Sequence, residues 1–242
     1  MKRKLKKILR KRRVANCLHL GAGLGYFTSV LESVIKNGKI YAVDSSPRVI
    51  EKAKLSSRSR RVEFLCMDAV SLGFSGGFFD CVALQHSFHH FVDPDGVVRE
   101  MSRVLSPDGV LVIHEMLGEF DTLQQKLHVD WHNFGVEVDR RRGIPHYPLY
   151  SREALLMVLS RQFELDYVER ISPRKVMRDR DTIGLVVESI DRHLDSIRGH
   201  PEYAAIGQAG ENLKKLIMEN GFSYPVSLLV SGKKKSEETP AE

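Results

Sequence analysis

Three glycines at alternate positions, Gly21, Gly23 and Gly25, follow a short apolar run and most constrain what this chain can fold into. A residue without a Cβ lets the backbone turn sharply and lets a ligand lie directly against it. The pattern predicts a buried strand over residues 14–20 and, after the turn, a helix over 27–36 whose N-terminus faces the same ligand. The stretch therefore indicates a nucleotide-type binding loop.

The spacing of the glycines separates two kinds of nucleotide-binding loop. A dinucleotide fingerprint, G-x-G-x-x-G, requires a glycine at position 26, where this chain has Tyr26. The chain has G-x-G-x-G instead. The loop taken alone could also be a tight turn without a ligand. The segments that follow it must therefore distinguish a binding loop from a simple turn.

The rest of the chain alternates predicted strands and helices, which favours a parallel, doubly wound α/β sheet. Right-handed crossovers place the carboxyl ends of the parallel strands on one edge, and a ligand binds at that edge. Strands are predicted over residues 14–20, 39–44, 62–67, 80–85, 110–116, 163–170 and 226–231, and helices over 27–36, 48–55, 94–105, 119–131 and 151–160.

Asp44 is the last residue of the second predicted strand. An acid in this position can accept hydrogen bonds from both hydroxyls of a ribose. The alternative is that Asp44 caps the next helix, but Ser45 or Ser46 can cap that helix, with Pro47 in its first turn. Asp44 is therefore predicted to be a ribose ligand.

The segment from Phe79 to Leu111, with R-V-L-S-P-D-G-V-L at residues 103–111, is more specific than the glycine loop. Together with that loop, it resembles the class I S-adenosylmethionine-dependent methyltransferases. The closest likeness is to the small-molecule subgroup, methyltransferase type 11, which includes ubiquinone and menaquinone methyltransferases. The resemblance implies a Rossmann-like, doubly wound, seven-stranded sheet that is mostly parallel with an antiparallel last strand. It also implies methyl transfer from S-adenosylmethionine to a small-molecule acceptor by in-line displacement.

The resemblance also implies a cofactor site. The acid after the third strand, Asp68, corresponds by position to the family's acceptor for the adenine amino group. The family has an acid two residues before the first glycine, where this chain has His19; a neutral histidine still accepts one hydrogen bond, whereas a protonated one repels a sulfonium. The residues expected to bind the cofactor are His19, Gly21, Ala22, Gly23, Gly25, Asp44, Ser45, Asp68, Ala69, Gln85 and His86.

Residues 1–14 contain nine of the chain's 37 Lys and Arg residues and no acid. Such a segment suits an anionic partner, either a nucleic acid or a membrane surface. The preferred interpretation is an amphipathic helix that docks on the protein through Leu5, Ile8 and Leu9. The basic segment and His19 nevertheless sustain a second hypothesis, a catalytically silent binding or regulatory protein of this fold that associates with RNA.

The region after the fifth strand, residues 118–150, is predicted to form a lid and the acceptor site. Methyl transfer from a sulfonium depends mainly on positioning, and a base is needed only where the acceptor loses a proton. His128 and His132, four residues apart on one predicted helix, and His146 are the predicted catalytic residues; pocket lining and ordinary surface positions are the alternatives. No metal ligand is predicted, because the helix lacks the H-E-x-x-H pattern and a cysteine partner. Further candidates for a base are His86, His89, His114 and Glu115.

The sequence predicts one methyltransferase domain over residues 1–232, with residues 14–117 as its cofactor-binding half. A helical insertion over 172–222 is expected to cap the acceptor site, or else to extend the core or to form a dimer, in that order of preference. Residues 233–242 are expected to form a disordered tail. The oligomeric state is left open.

The cellular location follows from what the sequence lacks. No apolar run is long enough to cross a bilayer and no signal-peptide segment is evident, so a cytoplasmic location is expected. The three cysteines, Cys17, Cys66 and Cys81, all lie in predicted strands without C-x-x-C spacing. They are expected to be buried, reduced thiols.

Overall fold

The computed structural model describes residues 1–10 and 12–236. Helices and strands alternate along most of the described chain. The strands are β1 Asn16–Leu20, β2 Lys39–Asp44, β3 Val62–Cys66, β4 Phe79–Gln85, β5 Leu105–Met116, β6 Phe163–Ile171 and β7 Ser227–Lys234. The helices are α1 Lys2–Leu9, α2 Tyr26–Val34, α3 Pro47–Ser56, α4 Pro94–Val104, α5 Leu123–Arg141, α6 Arg152–Ser160, α7 Arg180–Asp195 and α8 Tyr203–Asn220.

The strands form one seven-stranded sheet in the order β3-β2-β1-β4-β5-β7-β6. The neighbouring pairs among β1 to β5 are all parallel. Strand β7 runs antiparallel to β6. Lys235 N donates to Gln162 O and Ser231 Oγ donates to Asp166 Oδ1, so residue numbers decrease along β7 as they increase along β6. The predicted fold, including its antiparallel last strand, is confirmed.

The central strands are buried on both faces, as parallel strands covered by helices must be. Leu18 on β1, Leu84 on β4 and Val112 on β5 have no exposed surface. Their apolar character explains why the sequence reads as short continuous apolar runs rather than as alternating ones. Because these strands are parallel, their carboxyl ends lie together at one edge of the sheet.

The chain divides into two compact units. The first unit comprises Met1–Glu115, Glu153–Glu169 and Leu229 onward, and the second comprises Met116–Arg152 and Arg170–Leu228. In the second unit, α5, α7 and α8 surround a buried apolar cluster that includes Phe134, Ile190 and Ile217. Helices α7 and α8 lie within the predicted insertion, and their apolar faces contribute to this cluster.

Helix α1 docks within the first unit through its apolar face, as preferred from the sequence. Leu5 is fully buried and Leu9 is nearly so. Lys4 pairs with Glu169, and the ammonium group of Lys7 lies 5.8 Å from the centre of the Tyr167 ring. Because the apolar stripe is already covered, the exposed face of α1 is its cationic face.

The bounds predicted for two elements, β5 and α5, were wrong by several residues. Strand β5 begins at Leu105, which pairs with Phe79, while Val110 pairs with Cys81; residues 106–109 therefore form a bulge inside the strand rather than a turn before it. Helix α5 spans Leu123–Arg141 rather than 119–131, because the Oγ1 atom of Thr122 accepts a hydrogen bond from the amide of the third residue after it and starts the helix there.

The predicted disordered tail also begins too early. Strand β7 continues to Lys234, and the amide of Lys235 still donates to Gln162 O over 2.9 Å. Residues 237–242, the rest of the predicted tail, lie outside the described residues. The cysteines are all free thiols in strands, but Cys66 is exposed rather than buried because β3 is an edge strand. None of the helices in the described residues is long and apolar enough to cross a membrane.

Candidate functional site

The glycine loop has the backbone conformation that its sequence requires. Gly21, Gly23 and Gly25 all have positive φ angles, of 67°, 53° and 86°, which L-residues rarely adopt. A Cβ on Gly21 would lie 2.3 Å from Ser87 Oγ, whereas a Cβ on Gly23 would have no atom within 4 Å. The loop thus packs tightly at its first glycine and faces open space at its second, immediately before the N-terminus of α2.

Asp44 ties this loop to the start of α3. Its Oδ2 accepts a hydrogen bond from Gly23 N over 2.9 Å, and its Oδ1 accepts one from Ser46 N over 3.0 Å. The expectation that a serine side chain caps α3 and leaves Asp44 free was wrong, since Ser46 makes no side-chain capping bond. Each carboxylate oxygen has a second lone pair, so Asp44 can still accept hydrogen bonds from a ligand.

A cleft of about 490 Å³ in the first unit opens at the carboxyl ends of β1, β2 and β3. Five residues from the predicted cofactor site line it: Gly21, Asp44, Ser45, Asp68 and Ala69. The carboxylate of Asp68 accepts a hydrogen bond from Val70 N over 3.1 Å, which fixes the turn after β3. A cleft outside the carboxyl ends of parallel strands is where α/β sheets bind ligands.

The opposite wall of this cleft was not assigned from the sequence. It is formed by the segment after β4 and the start of α4. The sequence signal that could have identified this segment is its position directly after the end of strand β4. None of its residue types alone indicates a ligand contact. The residues of this wall are Ser87, His90, Phe91, Val92, Asp93 and Val97.

His19 does not line the cleft, which corrects its assignment as a direct cofactor ligand. It is 1% exposed; its Nδ1 lies 2.8 Å from Thr28 Oγ1, and its ring packs edge-on against Phe27. The reason is the alternation of side chains along β1, which sends Leu20 to the cleft and His19 beneath α2. Burial lowers the pKa of His19 to about 3, so its ring is neutral at pH 7.

Two further predicted ligands, Gln85 at the end of β4 and His86 directly after it, are not among the residues that line the cleft. Gln85 Nε2 donates to His114 Nδ1 over 2.8 Å. His86 has a φ of 50°, and its ring centre lies 4.6 Å from that of His114. Burial lowers the pKa of His86. The pKa of His114 is lowered to about 3, mainly by burial and to a smaller extent by the neighbouring His86.

A buried carboxylate completes this polar cluster at the ends of β4 and β5. Glu115 has no exposed surface. Its Oε2 accepts a hydrogen bond from Phe88 N over 2.7 Å, and its Oε1 lies 3.1 Å from His89 Nδ1. Glu115 therefore fixes the turn that carries Ser87 and His90 into the cleft wall.

The structure brings together two of the three predicted catalytic histidines, both in the second unit. His132 Nε2 and His146 Nε2 are 3.3 Å apart, and His146 Nδ1 lies 2.9 Å from Asp139 Oδ2. His128 instead packs in aromatic surroundings, with its ring centre 5.2 Å from that of Trp131. The return of the chain after α5, through Gly143 at a φ of 68°, brings His146 back beside the helix.

These features define a class of protein: an α/β fold with a cleft at the carboxyl ends of its parallel strands. Residues 18–113 match the family described as "Methyltransferase domain", which confirms the resemblance seen in the sequence. The matched segment contains the glycine loop and every residue of the cleft.

Curated relatives have similar descriptions. A demethylmenaquinone methyltransferase of Thermus thermophilus is 33% identical over 40% of this chain and 46% of its own length. A malonyl-[acyl-carrier protein] O-methyltransferase of Acetivibrio thermocellus is 30% identical over 47% of this chain and 42% of its own length. The chain thus spans less than half the length of these two relatives.

Solved structures share the fold over nearly the whole chain. A Bacillus halodurans protein superposes with a TM-score of 0.65 at 19% identity, covering 97% of this chain and 99% of that one. The phosphoethanolamine N-methyltransferase 2 of Haemonchus contortus, solved with phosphomonomethylethanolamine and S-adenosylhomocysteine, superposes with a TM-score of 0.57 at 18% identity, covering 96% and 52%. At these identities the likeness establishes the fold alone.

Proposed function

We propose that this protein is an S-adenosylmethionine-dependent methyltransferase that acts on a small molecule. The observation that carries the proposal is the cleft at the carboxyl ends of β1 to β3, in which the glycine loop, Asp44 and Asp68 converge inside the matched segment. The names of the two curated relatives support the same reaction class, with a quinone or a carboxyl group as the acceptor.

The residues of the cleft fit this cofactor. The carboxylate of Asp44 has acceptor capacity for ribose hydroxyls, and Gly23 leaves room for a ligand to approach the backbone. Phe91, Val92 and Val97 give the cleft an apolar wall for the faces of a purine ring, and Asp68 offers a carboxylate for an amino group. A volume of about 490 Å³ lies within the range of small-molecule sites.

The proposed cofactor supplies a methyl group that is already activated by a positively charged sulfur. The chain's residues then have to bind and orient the two reactants, which accounts for most of the rate enhancement in such a displacement. His19 is uncharged at neutral pH because burial lowers its pKa to about 3. The histidine that replaces the family's acid therefore adds no positive charge to repel the sulfonium.

The acceptor side is proposed to lie in the second unit. His132 and His146 remain our candidates for contacting the acceptor or removing its proton, and Asp139 orients His146 through Nδ1. His128, packed against aromatic rings, fits the lining of an apolar acceptor pocket better than a proton-transfer role.

The test is release of S-adenosylhomocysteine from S-adenosylmethionine by the full chain, with demethylated quinols and malonyl thioesters as acceptors. We expect turnover with one acceptor class and its loss in Asp44→Ala. The matched control is Asp108→Ala, which changes an exposed acid in the β5 bulge and leaves the cleft intact. Cofactor binding without turnover on either class would contradict the proposed acceptors and favour a catalytically silent binding protein.

A further inference from the structure

His132 and His146 present the same ring nitrogen to each other. Their Nε2 atoms are 3.3 Å apart, so the two rings meet through these nitrogens. Two histidine nitrogens bound to zinc at about 2.0–2.1 Å and at a tetrahedral angle lie about 3.3 Å apart. The observed separation therefore matches that of two histidine ligands on one metal ion.

The surroundings of His146 determine which of its nitrogens carries the lone pair. Asp139 Oδ2 lies 2.9 Å from His146 Nδ1, so Nδ1 carries the hydrogen and donates it to the carboxylate. The Nε2 atom of His146 then presents its lone pair towards His132. Metal-binding histidines characteristically donate their second N–H group to a carboxylate in this way, which fixes the ring and makes the ligating nitrogen more basic.

Asp139 is itself held in place. Its Oδ1 accepts a hydrogen bond from Arg142 Nη1 over 3.1 Å, and its backbone carbonyl accepts one from Ile144 N over 2.9 Å. The carboxylate, both imidazoles and the turn at Gly143 that joins them all belong to the second unit. The arrangement is thus prepared by α5 and the loop that follows it.

We propose that His132 Nε2 and His146 Nε2 bind a divalent transition-metal ion of the zinc type, with Asp139 as the carboxylate that orients His146. Imidazole nitrogens suit zinc, cobalt, nickel and copper rather than magnesium or calcium. The remaining coordination positions take water, a substrate group or another side chain. A nitrogen that holds a metal does not take up a proton, so this site, which goes beyond the proposed function, is an alternative to proton removal by these two histidines and leaves contact with the acceptor open to them.

The test uses the full chain, treated with chelator and then titrated with Co²⁺, whose visible d–d absorption reports coordination. We expect saturable binding at one site, displacement by Zn²⁺, and loss of the absorption in both His132→Ala and His146→Ala. Asp139→Asn should weaken binding roughly 10- to 100-fold, because it removes the orienting carboxylate without removing a ligand.

The matched control is His200→Ala, which removes another histidine of the second unit and should leave binding unchanged. Far-UV circular dichroism shows that each variant is folded, and His132→Gln serves where the alanine variant is not. An absence of saturable Co²⁺ binding to the folded chain would overturn the proposal, as would binding that survives both histidine substitutions. Neither result depends on S-adenosylmethionine, so the proposed function is tested separately.

Discussion

Two buried neutral histidines should make this protein lose stability in mildly acidic solution. His19 is 1% exposed and His114 is 8% exposed, and burial lowers the pKa of each to about 3. An unfolded histidine has a pKa of about 6.5. The unfolded state therefore binds more protons than the folded state between about pH 6.5 and pH 3, so this stability is fully present above that window and falls as the pH decreases through it.

The size of the effect follows from proton linkage. When the pH falls from 7 to 5, each histidine that stays neutral in the folded state lowers the free energy of unfolding by about 2 kcal/mol. The two histidines together lower it by about 4 kcal/mol. His86, whose pKa is also lowered by burial, acts in the same direction. Arg170 lowers the pKa of the Asp121 carboxylate to about 2, and this contribution to stability is lost only as the pH falls below about 4, so it does not add to the loss between pH 7 and pH 5.

Urea unfolding at pH 7, 6 and 5 measures this dependence. We expect His19→Asn and His114→Asn each to remove about 2 kcal/mol of the decline between pH 7 and pH 5, even if each variant is less stable at pH 7. His200→Asn is the control and should decline as the wild type does. If the wild type and both buried-site variants lose stability in parallel, the two histidines are not buried in neutral form and the reasoning is refuted.

The remaining predictions concern packing and the glycine loop. Gly21→Ala should cost about 1–3 kcal/mol in urea unfolding, because the new Cβ would meet Ser87 Oγ at 2.3 Å; Ser87→Gly should recover part of that loss, and a neutral Gly21→Ala would contradict the close approach. Leu5→Ala should cost about 2–5 kcal/mol and lower the thermal midpoint, whereas an unchanged midpoint would mean that α1 is not docked. Gly23→Ala meets no atom within 4 Å of its Cβ but must adopt a φ of 53°, so it should cost about 1–2 kcal/mol in folding and also weaken cofactor binding; binding equal to that of the wild type by calorimetry would argue against a ligand at that position.

Much of the fold could be predicted because strand ends and turns are encoded locally. Strand β2 has the predicted bounds, and Asp44 and Asp68 line the cleft because Asp44 ends β2 and Asp68 lies two residues after the end of β3. The position of His19 is not set by the motif alone. Side-chain alternation along β1 turns it beneath α2, where the motif-based comparison with the family's acid had predicted a ligand.

The arrangement of the histidines could not be read from local spacing. The i, i+4 relation favoured His128 with His132, yet His132 meets His146, fourteen residues along the chain. That pairing depends on two tertiary features: the extension of α5 to Arg141 and the left-handed turn at Gly143. Neither feature has a distinctive sequence signal apart from the glycine itself.

The central claim is that the cleft between the glycine loop and Asp68 binds S-adenosylmethionine, and calorimetric titration tests it most directly. The full chain should bind S-adenosylmethionine and S-adenosylhomocysteine saturably. Asp44→Ala should weaken both by roughly tenfold or more, since it removes an ionised acceptor of ligand hydrogen bonds, and Asp108→Ala should bind as the wild type does. Absence of binding to either ligand, or equal binding by Asp44→Ala, would contradict the account.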